Sequence, residues 1–292
     1  MDIRDYIRNT IEELQGDSLF NMKTIKFRSI DGLKLVGDYY PAEDTNCSVL
    51  LLHGITATRN EEGLYTEICK RLQSKNIASF TVDLRAHGES DGKQQELTLS
   101  GAINDIIASI GELQKLSGNK KVVLISASFS AGLCIYVAEN LKSTIQTMVL
   151  FNPRLDYTPW ATDHELWDKD SISDKGAKEF HSKGYIIRND FKVGQALFNE
   201  ILCFKPAVNL KNLDIPILYI HGTDDSVVPI STVEDKYNNN GKGTLIKILG
   251  ADHGFTLPDD ESLKNPTNIK YREQVINLAL DWILKESRSS SK

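Results

Sequence analysis

Serines stand at positions 126, 128 and 130 in the run Lys121-Val-Val-Leu-Ile-Ser-Ala-Ser-Phe-Ser-Ala-Gly132. An apolar stretch ends there in small residues and a helical pattern begins at once, which predicts a strand, a sharp turn and a helix. A serine at the apex of such a turn projects its hydroxyl clear of both elements. The residues two before and two after it must be small, because the strand and helix backbones approach closely there. Ser126 and Ser130 meet that condition around Ser128. The Phe129 N–H would then lie at a helix N-terminus, where unpaired amides and the macrodipole favour a developing negative charge. The chemistry this arrangement suits is nucleophilic catalysis. Taken alone, Ser128 reads equally well as one more serine in a polar turn. A hydroxyl is a poor nucleophile until a base takes its proton, and the base needs an acid to fix its tautomer.

The elements that would have to hold such a serine are legible in the hydropathy pattern. From Lys23 to Tyr40 two β-rich runs flank Asp31-Gly32, a strong hairpin signal. Short apolar runs then recur at Ser48 to Leu52, Ala78 to Val82, Lys121 to Ile125, Thr147 to Phe151, Ile217 to Ile220 and Thr244 to Leu249. Such runs suit strands buried on both faces. Between them, Ile103, Ile106, Ile107, Ile110 and Leu113 share one helix face, with Ser100 as candidate N-cap. Residues 131–141 give another helix, and Val275, Leu278, Trp282 and Ile283 mark a closing one over Tyr271 to Lys285. Alternating strand and helix predicts an α/β fold: a mostly parallel central sheet, helices on both faces and an N-terminal antiparallel hairpin. Ile3, Tyr6, Ile7, Ile11 and Leu14 predict an amphipathic helix ahead of it. From Pro153 onward the alternation breaks for a charged stretch too long for a plain loop. Its helical patterning predicts a cap over the carboxyl edge of the sheet, where open α/β sheets bind ligands. The expected organisation is an N-terminal helix over 1–20, a core built from 21–152 and 212–292, and a helical cap insertion over 153–211.

With the elbow at the end of one of these runs, the chain resembles the α/β-hydrolase superfamily, with Ser-x-Ser-x-Ser in place of that family's G-x-S-x-G. The resemblance implies the α/β-hydrolase fold. It extends to His221-Gly-Thr-Asp-Asp-Ser-Val-Val-Pro229, which puts the acid at Asp225 beside a bland Asp224, and to Gly250-Ala-Asp-His-Gly-Phe255, which puts the base at His253. The order Ser, Asp, His is the superfamily's own. A lone loop histidine would carry little information, but each of the three motifs follows its own apolar run. His53-Gly-Ile-Thr-Ala57 resembles the turn that supplies the second oxyanion amide, so the expected donors are the N–H groups of Ile55 and Phe129. His53 itself, and Asp83, Arg85 and His87 of the loop Asp83-Leu-Arg-Ala-His-Gly-Glu-Ser-Asp-Gly92, are expected to hold backbone. Two subgroups are similar. The feruloyl and cinnamoyl esterases share the His53 and Asp83 loops, and the acyl-carrier-protein thioesterase/acyltransferase of bacterial bioluminescence shares Ser128-Phe-Ser-Ala131 and Asn152-Pro-Arg154.

What the resemblance implies is a hydrolase that cleaves an ester or acyl thioester through an acyl-serine. An acyltransferase using the same intermediate stands as the alternative, and a silent binding protein on the same scaffold as a third reading. The substrate would be a small or carrier-linked acyl compound. Trp160, Trp167, Phe191, Phe198 and Phe204 are candidates for lining an acyl or aryl pocket, though aromatics in a helical insertion more often simply pack. Composition is compatible with this and excludes other classes. Of 292 residues, 40% are hydrophobic and 25% charged, as in a folded globular chain. Thirty-four Lys and Arg against 40 Asp and Glu give a net charge of −6, which speaks against a nucleic-acid partner. Cys47, Cys69, Cys134 and Cys203 are scattered singly and are expected to be reduced packing residues. Neither a secretory leader nor a membrane-length apolar run is visible, so a cytoplasmic location is the expectation. No metal or nucleotide motif follows any strand, and no cofactor is expected.

Overall fold

The computed structural model describes residues 20–43, 47–163, 165–234, 236–237 and 243–289. The helix expected over 1–20 falls, apart from Phe20, outside the described residues. Strands β1 (Lys23–Arg28) and β2 (Lys34–Tyr40) form the expected antiparallel hairpin. The turn between them spans 29–33 and places Gly32 at φ 89°. There follow β3 (Ser48–Leu52), β4 (Ala78–Asp83), β5 (Val122–Ala127) and β6 (Ile145–Phe151). Four short strands, β7 (Trp167–Asp168), β8 (Ser171–Ile172), β9 (Tyr185–Arg188) and β10 (Phe191–Gly194), lie within the insertion, and β11 (Ile217–Gly222) and β12 (Gly243–Ile248) close the series. The main sheet has the order β1-β2-β4-β3-β5-β6-β11-β12, parallel from β4 to β12.

The central strands are largely apolar, β3 and β5 most of all, because they bury alternate side chains on opposite faces. Leu50 and Leu52 of β3 join Leu124, Leu150 and the helices Leu99–Ser117 and Phe129–Asn140 on one face. Val49 and Leu51 join Val123, Ile125 and the helices Leu64–Ser74 and Pro266–Ser289 on the other. Burying each Leu is worth about 1.5–3 kcal/mol, so this strand pins the middle of the sheet. From β3 the chain moves to β4 on one side and then to β5 on the other. That reversal opens a crevice at the carboxyl ends of β3 and β5, the point where such sheets bind ligands.

Several expectations are corrected. The helix Leu99–Ser117 is capped by Thr98, whose Oγ1 accepts the Gly101 N–H at 3.0 Å; the Ser100 hydroxyl instead donates to Glu200 at 2.8 Å. β12 is an edge strand with only Ile248 fully buried, and Leu249, past its end, is 76% exposed. Cys203 is exposed, unlike the other three cysteines. The insertion is not purely helical: the helices Thr158–Thr162, Asp174–Lys183, Gln195–Cys203 and Pro206–Leu210 alternate with the antiparallel pairs β7–β8 and β9–β10. Asn189 and Asp190, both at positive φ, close the second hairpin as a two-residue turn, a conformation Asn and Asp tolerate.

Candidate active site

Ser128 alone separates the end of β5 from the helix Phe129–Asn140, and it reverses the chain at φ 47° and ψ −109°. A side-chain-bearing residue in that region costs on the order of 1–3 kcal/mol and persists only where its surroundings over-determine it. They do so here. The Ser128 N–H donates to Phe151 O at 2.9 Å, and its carbonyl accepts the N–H groups of Ala131 at 3.2 Å and Arg154 at 3.1 Å. Ser126 and Ser130 are both fully buried in the turn. The Ser130 hydroxyl lies 2.8 Å from Leu52 O and 3.0 Å from Ala127 O, so serine replaces glycine two after the apex by spending its hydroxyl on the adjacent backbone.

Asp225 and His253 come from the loops after β11 and β12. His253 Nδ1 lies 2.8 Å from Asp225 Oδ2, which places the ring proton on Nδ1 and leaves Nε2 as an acceptor. The other carboxylate oxygen accepts the N–H groups of Val227 at 2.9 Å and Val228 at 2.7 Å. Burial opposes charge on Asp225, but hydrogen bonds from His221, His253 and the Val228 amide outweigh it and hold the carboxyl well below the usual range. His221 Nε2 sits 2.8 Å from Val228 O and 3.2 Å from Asp225 Oδ2. Asp224, one residue earlier, is exposed; its carboxylate accepts the neighbouring Thr223 hydroxyl at 2.8 Å and its N–H donates to Ala251 O at 3.0 Å. The two loops are tied together. Asn152 donates to His253 O and accepts the Gly222 N–H at 2.9 Å, while Asp252 accepts the N–H of Ser226 and of His253, each at 2.7 Å. Gly222 permits this approach, since a Cβ there would collide with the Ala251 carbonyl.

The N–H groups of Ile55 and Phe129 have no backbone or side-chain acceptor among the described residues. The peptide carrying the Ile55 N–H is fixed from its other end, where Gly54 O accepts from His53 Nδ1 at 2.7 Å. His53 Nε2 in turn accepts the Leu84 N–H at 3.0 Å. Burial, with the His87 ring beside it, lowers His53 to about 3, so it stays neutral in this bonding pattern. Asp83 and His87 contact loop backbone, Asp83 accepting the amides of Arg59 and Glu89 and His87 lying 2.9 Å from Arg85 O, whereas the Arg85 guanidinium bonds the side chains of Asp105, Asp31 and Ser29 rather than backbone.

Ser128, Ile55, Asn152 and His253 line one cavity of about 310 Å³, whose remaining wall carries Glu61, Glu62, Asp252, Glu261 and Arg272. Trp160, Trp167, Phe191 and Phe198 are not in that wall. Trp167 and Phe180 pack on Phe198 with ring centroids 5.9 and 5.2 Å away, Phe191 stacks on His87 at 5.4 Å, and Trp160 lies edge-on to Phe129 at 6.3 Å. Phe204 packs against Tyr157 at 5.3 Å. The insertion's elements are too short to bury apolar surface alone, so its aromatics pack against one another and the adjoining core.

Glu61 was not foreseen, since nothing in the polar stretch Asn60-Glu-Glu-Gly63 distinguishes it. It accepts the Gly54 N–H at 2.5 Å, next to the candidate oxyanion peptide. Burial, against that hydrogen bond, raises its carboxyl from 4.5 to about 7. The native protein therefore holds a proton between those values that the unfolded chain has released. The resulting stability is whole below pH 4.5 and is lost as pH rises through 7. Glu61→Gln, which keeps the acceptor oxygen but cannot ionise, is expected to flatten this part of the stability profile. Urea midpoints of the variant and the parent at pH 5 and pH 8 check it, and an unchanged slope would assign the proton elsewhere.

A family model described as serine aminopeptidase, S33, matches residues 43–173, a segment that contains the elbow and the His53 turn but neither Asp225 nor His253. Among curated proteins, a polyketide transferase, ATR5, from Stachybotrys chlorohalonatus is 22% identical over 142 residues, 48% of this chain and 47% of its own. That match thus spans about half of the relative. The uncharacterized protein YfhR from Escherichia coli O157:H7 is 21% identical over 92% of this chain and 84% of its own. Among solved structures, Est1E from Butyrivibrio proteoclasticus with ferulic acid bound superposes with a TM-score of 0.72 at 18% identity, covering 89% of this chain and 99% of that one. The Pyrococcus furiosus esterase PF2001 gives a TM-score of 0.62 at 20% identity, covering 91% and 92%. No helix among the described residues is long and apolar enough to cross a membrane. By strand order, by the elbow between β5 and its helix and by its likeness to these solved structures, the chain carries the α/β-hydrolase fold.

Proposed function

We propose that the protein is a serine hydrolase that cleaves a carboxylic ester or acyl thioester through an acyl-serine intermediate. The observation that carries this reading is the 2.8 Å contact between His253 Nδ1 and Asp225 Oδ2, with His253 and Ser128 lining the same cavity. In this reading His253 Nε2 takes the Ser128 proton as Oγ bonds to the acyl carbon, and the N–H groups of Ile55 and Phe129 receive the oxyanion. The tetrahedral intermediate collapses, the bond to the leaving oxygen or sulfur breaks, and His253 returns the proton to that atom. Water, deprotonated by His253, then releases the acid and restores Ser128. Asp225 stays ionised and balances the imidazolium. The insertion over 153–211 serves as a cap beside this site. The Est1E and PF2001 likenesses favour ester cleavage, while the likeness to a polyketide transferase favours transfer to a non-water acceptor as the second reading.

A panel of aryl esters and acyl thioesters differing in acyl chain tests this directly. Turnover with release of free acid supports hydrolysis. Ester products formed only with an added alcohol support transfer, and no turnover on any member counts against both. His53→Ala should lower kcat by roughly 10- to 100-fold with a smaller change in KM, because the Ile55 peptide loses its orientation. Steady-state kinetics alongside circular dichroism check this, and an unchanged kcat in a folded variant would remove His53 from the positioning of the oxyanion amide.

A further inference from the structure

A second cavity, of about 260 Å³, lies where the insertion meets the sheet and shares Ser226 and Val227 with the cavity of Ser128. Its wall presents two guanidinium groups, Arg154 from the segment after β6 and Arg188 from β9, beside the Trp160 ring. Among the described residues, Arg59 is paired with Asp38, Asp83 and Glu89, Arg71 with Glu67 and Glu273, and Arg85 with Asp31 and Asp105, while Arg272 donates instead to the carbonyls of Glu61 at 3.4 Å and Glu62 at 3.0 Å. Arg154 and Arg188 have fewer partners than any of these. Neither has a carboxylate within 4.0 Å among the described residues. Arg154, 8% exposed, makes one side-chain hydrogen bond, from Nη2 to Val227 O at 3.2 Å. The Nε–H of Arg188 is buried with no acceptor at all. Burial weighs against both charges, and a buried cation with free donors is unfavourable until an acceptor arrives.

The carboxylates of this wall do not fill that need. Asp156 accepts the Thr158 N–H at 3.0 Å and lies 4.0 Å from Lys205 Nζ. Asp163 acts on Arg188 only from beyond ion-pair distance. We propose that this cavity is an anion subsite in which Arg154 and Arg188 hold a carboxylate or phosphate at the end of the substrate remote from the scissile carbonyl. The planar guanidinium fork suits two-oxygen acceptors of this kind, and Trp160, Val228 and Pro229 give the adjoining carbon chain an apolar wall. The inference rests on Ser128 being the nucleophile only for the word substrate. Anion binding itself does not depend on it.

The test has two arms. Glutarate and inorganic phosphate are titrated calorimetrically into the parent protein and into Arg188→Gln, with Arg188→Lys in reserve should the first variant not fold. Affinity for at least one anion should fall about tenfold or more on loss of the Arg188 donors; whichever anion binds identifies carboxylate or phosphate as the natural group. Equal affinity in parent and variant, or no binding of either anion to the parent, overturns the proposal. In the second arm, the ratio of kcat/KM for an aryl hemiglutarate to that for an aryl butyrate should drop about tenfold in Arg188→Gln. A ratio equal in both proteins removes the subsite from catalysis. If the parent hydrolyses neither ester, the hydrolase reading fails and the calorimetric arm alone decides anion binding.

Discussion

Ser128→Ala is expected to reduce kcat by about 10,000-fold or more, and His253→Ala to match it, without unfolding either variant. In the proposed mechanism the two depend on each other: the hydroxyl needs the imidazole to lose its proton, and without the hydroxyl no acyl-serine forms for the imidazole to turn over. The double variant should therefore be no worse than either single one. Ser126→Ala and Ser130→Ala should keep substantial activity, since both side chains face inward and the Ser130 hydroxyl is spent on the carbonyls of Leu52 and Ala127. Steady-state rates on an aryl ester, with thermal melts as a folding control, check the set. Equal losses at all three serines would count against Ser128 as the nucleophile.

Asp225→Asn is expected to lower kcat by about 1,000- to 10,000-fold, and Asp224→Asn to leave it within about twofold. The amide keeps the shape of Asp225 but removes the charge that balances the imidazolium, and its NH2 group can turn His253 to the wrong tautomer. Asp224 has no such contact, being exposed and bonded to Thr223. A pH signature accompanies the loss. Because the folded Asp225 carboxyl lies below its ordinary value of 3.8, its contribution to stability is present above that pH and is lost as pH falls toward the folded value. The Asn variant should therefore lose less stability than the parent on going from pH 5 to pH 2, as measured by urea midpoints. A severe loss in Asp224→Asn with a mild one in Asp225→Asn would move the acid by one residue.

The main sheet was legible because its central strands are buried on both faces and read as apolar runs, and Asp31-Gly32 marked the first hairpin. The elbow was legible from the small side chains at 126 and 130, whereas the partners that absorb the Ser130 hydroxyl, Leu52 O and Ala127 O, include one from a different strand and leave no local signature. Asp225 and His253 were legible as motifs, whereas their 2.8 Å contact depends on loops from different strands and has no local signature. The insertion was the least readable part. Strands of two and four residues cannot display a period of two convincingly, and the Asn189-Asp190 turn went unrecognised among charged residues. The cavity walls were legible only in part. Trp160 faces the second cavity, whereas Trp167, Phe191 and Phe198 pack on other rings, and the polar residues that line the cavity of Ser128, Glu61, Asp252 and Arg272, come from loops where charge is ordinary.

If the Ser128 hydroxyl attacks the acyl carbon, it should also react with a fluorophosphonate, as intact-mass measurement and peptide mapping would show. A single adduct is expected on Ser128, absent from Ser128→Ala and strongly slowed in His253→Ala. An adduct on Ser126 or Ser130, or undiminished labelling of Ser128→Ala, would contradict the role of Ser128 as nucleophile.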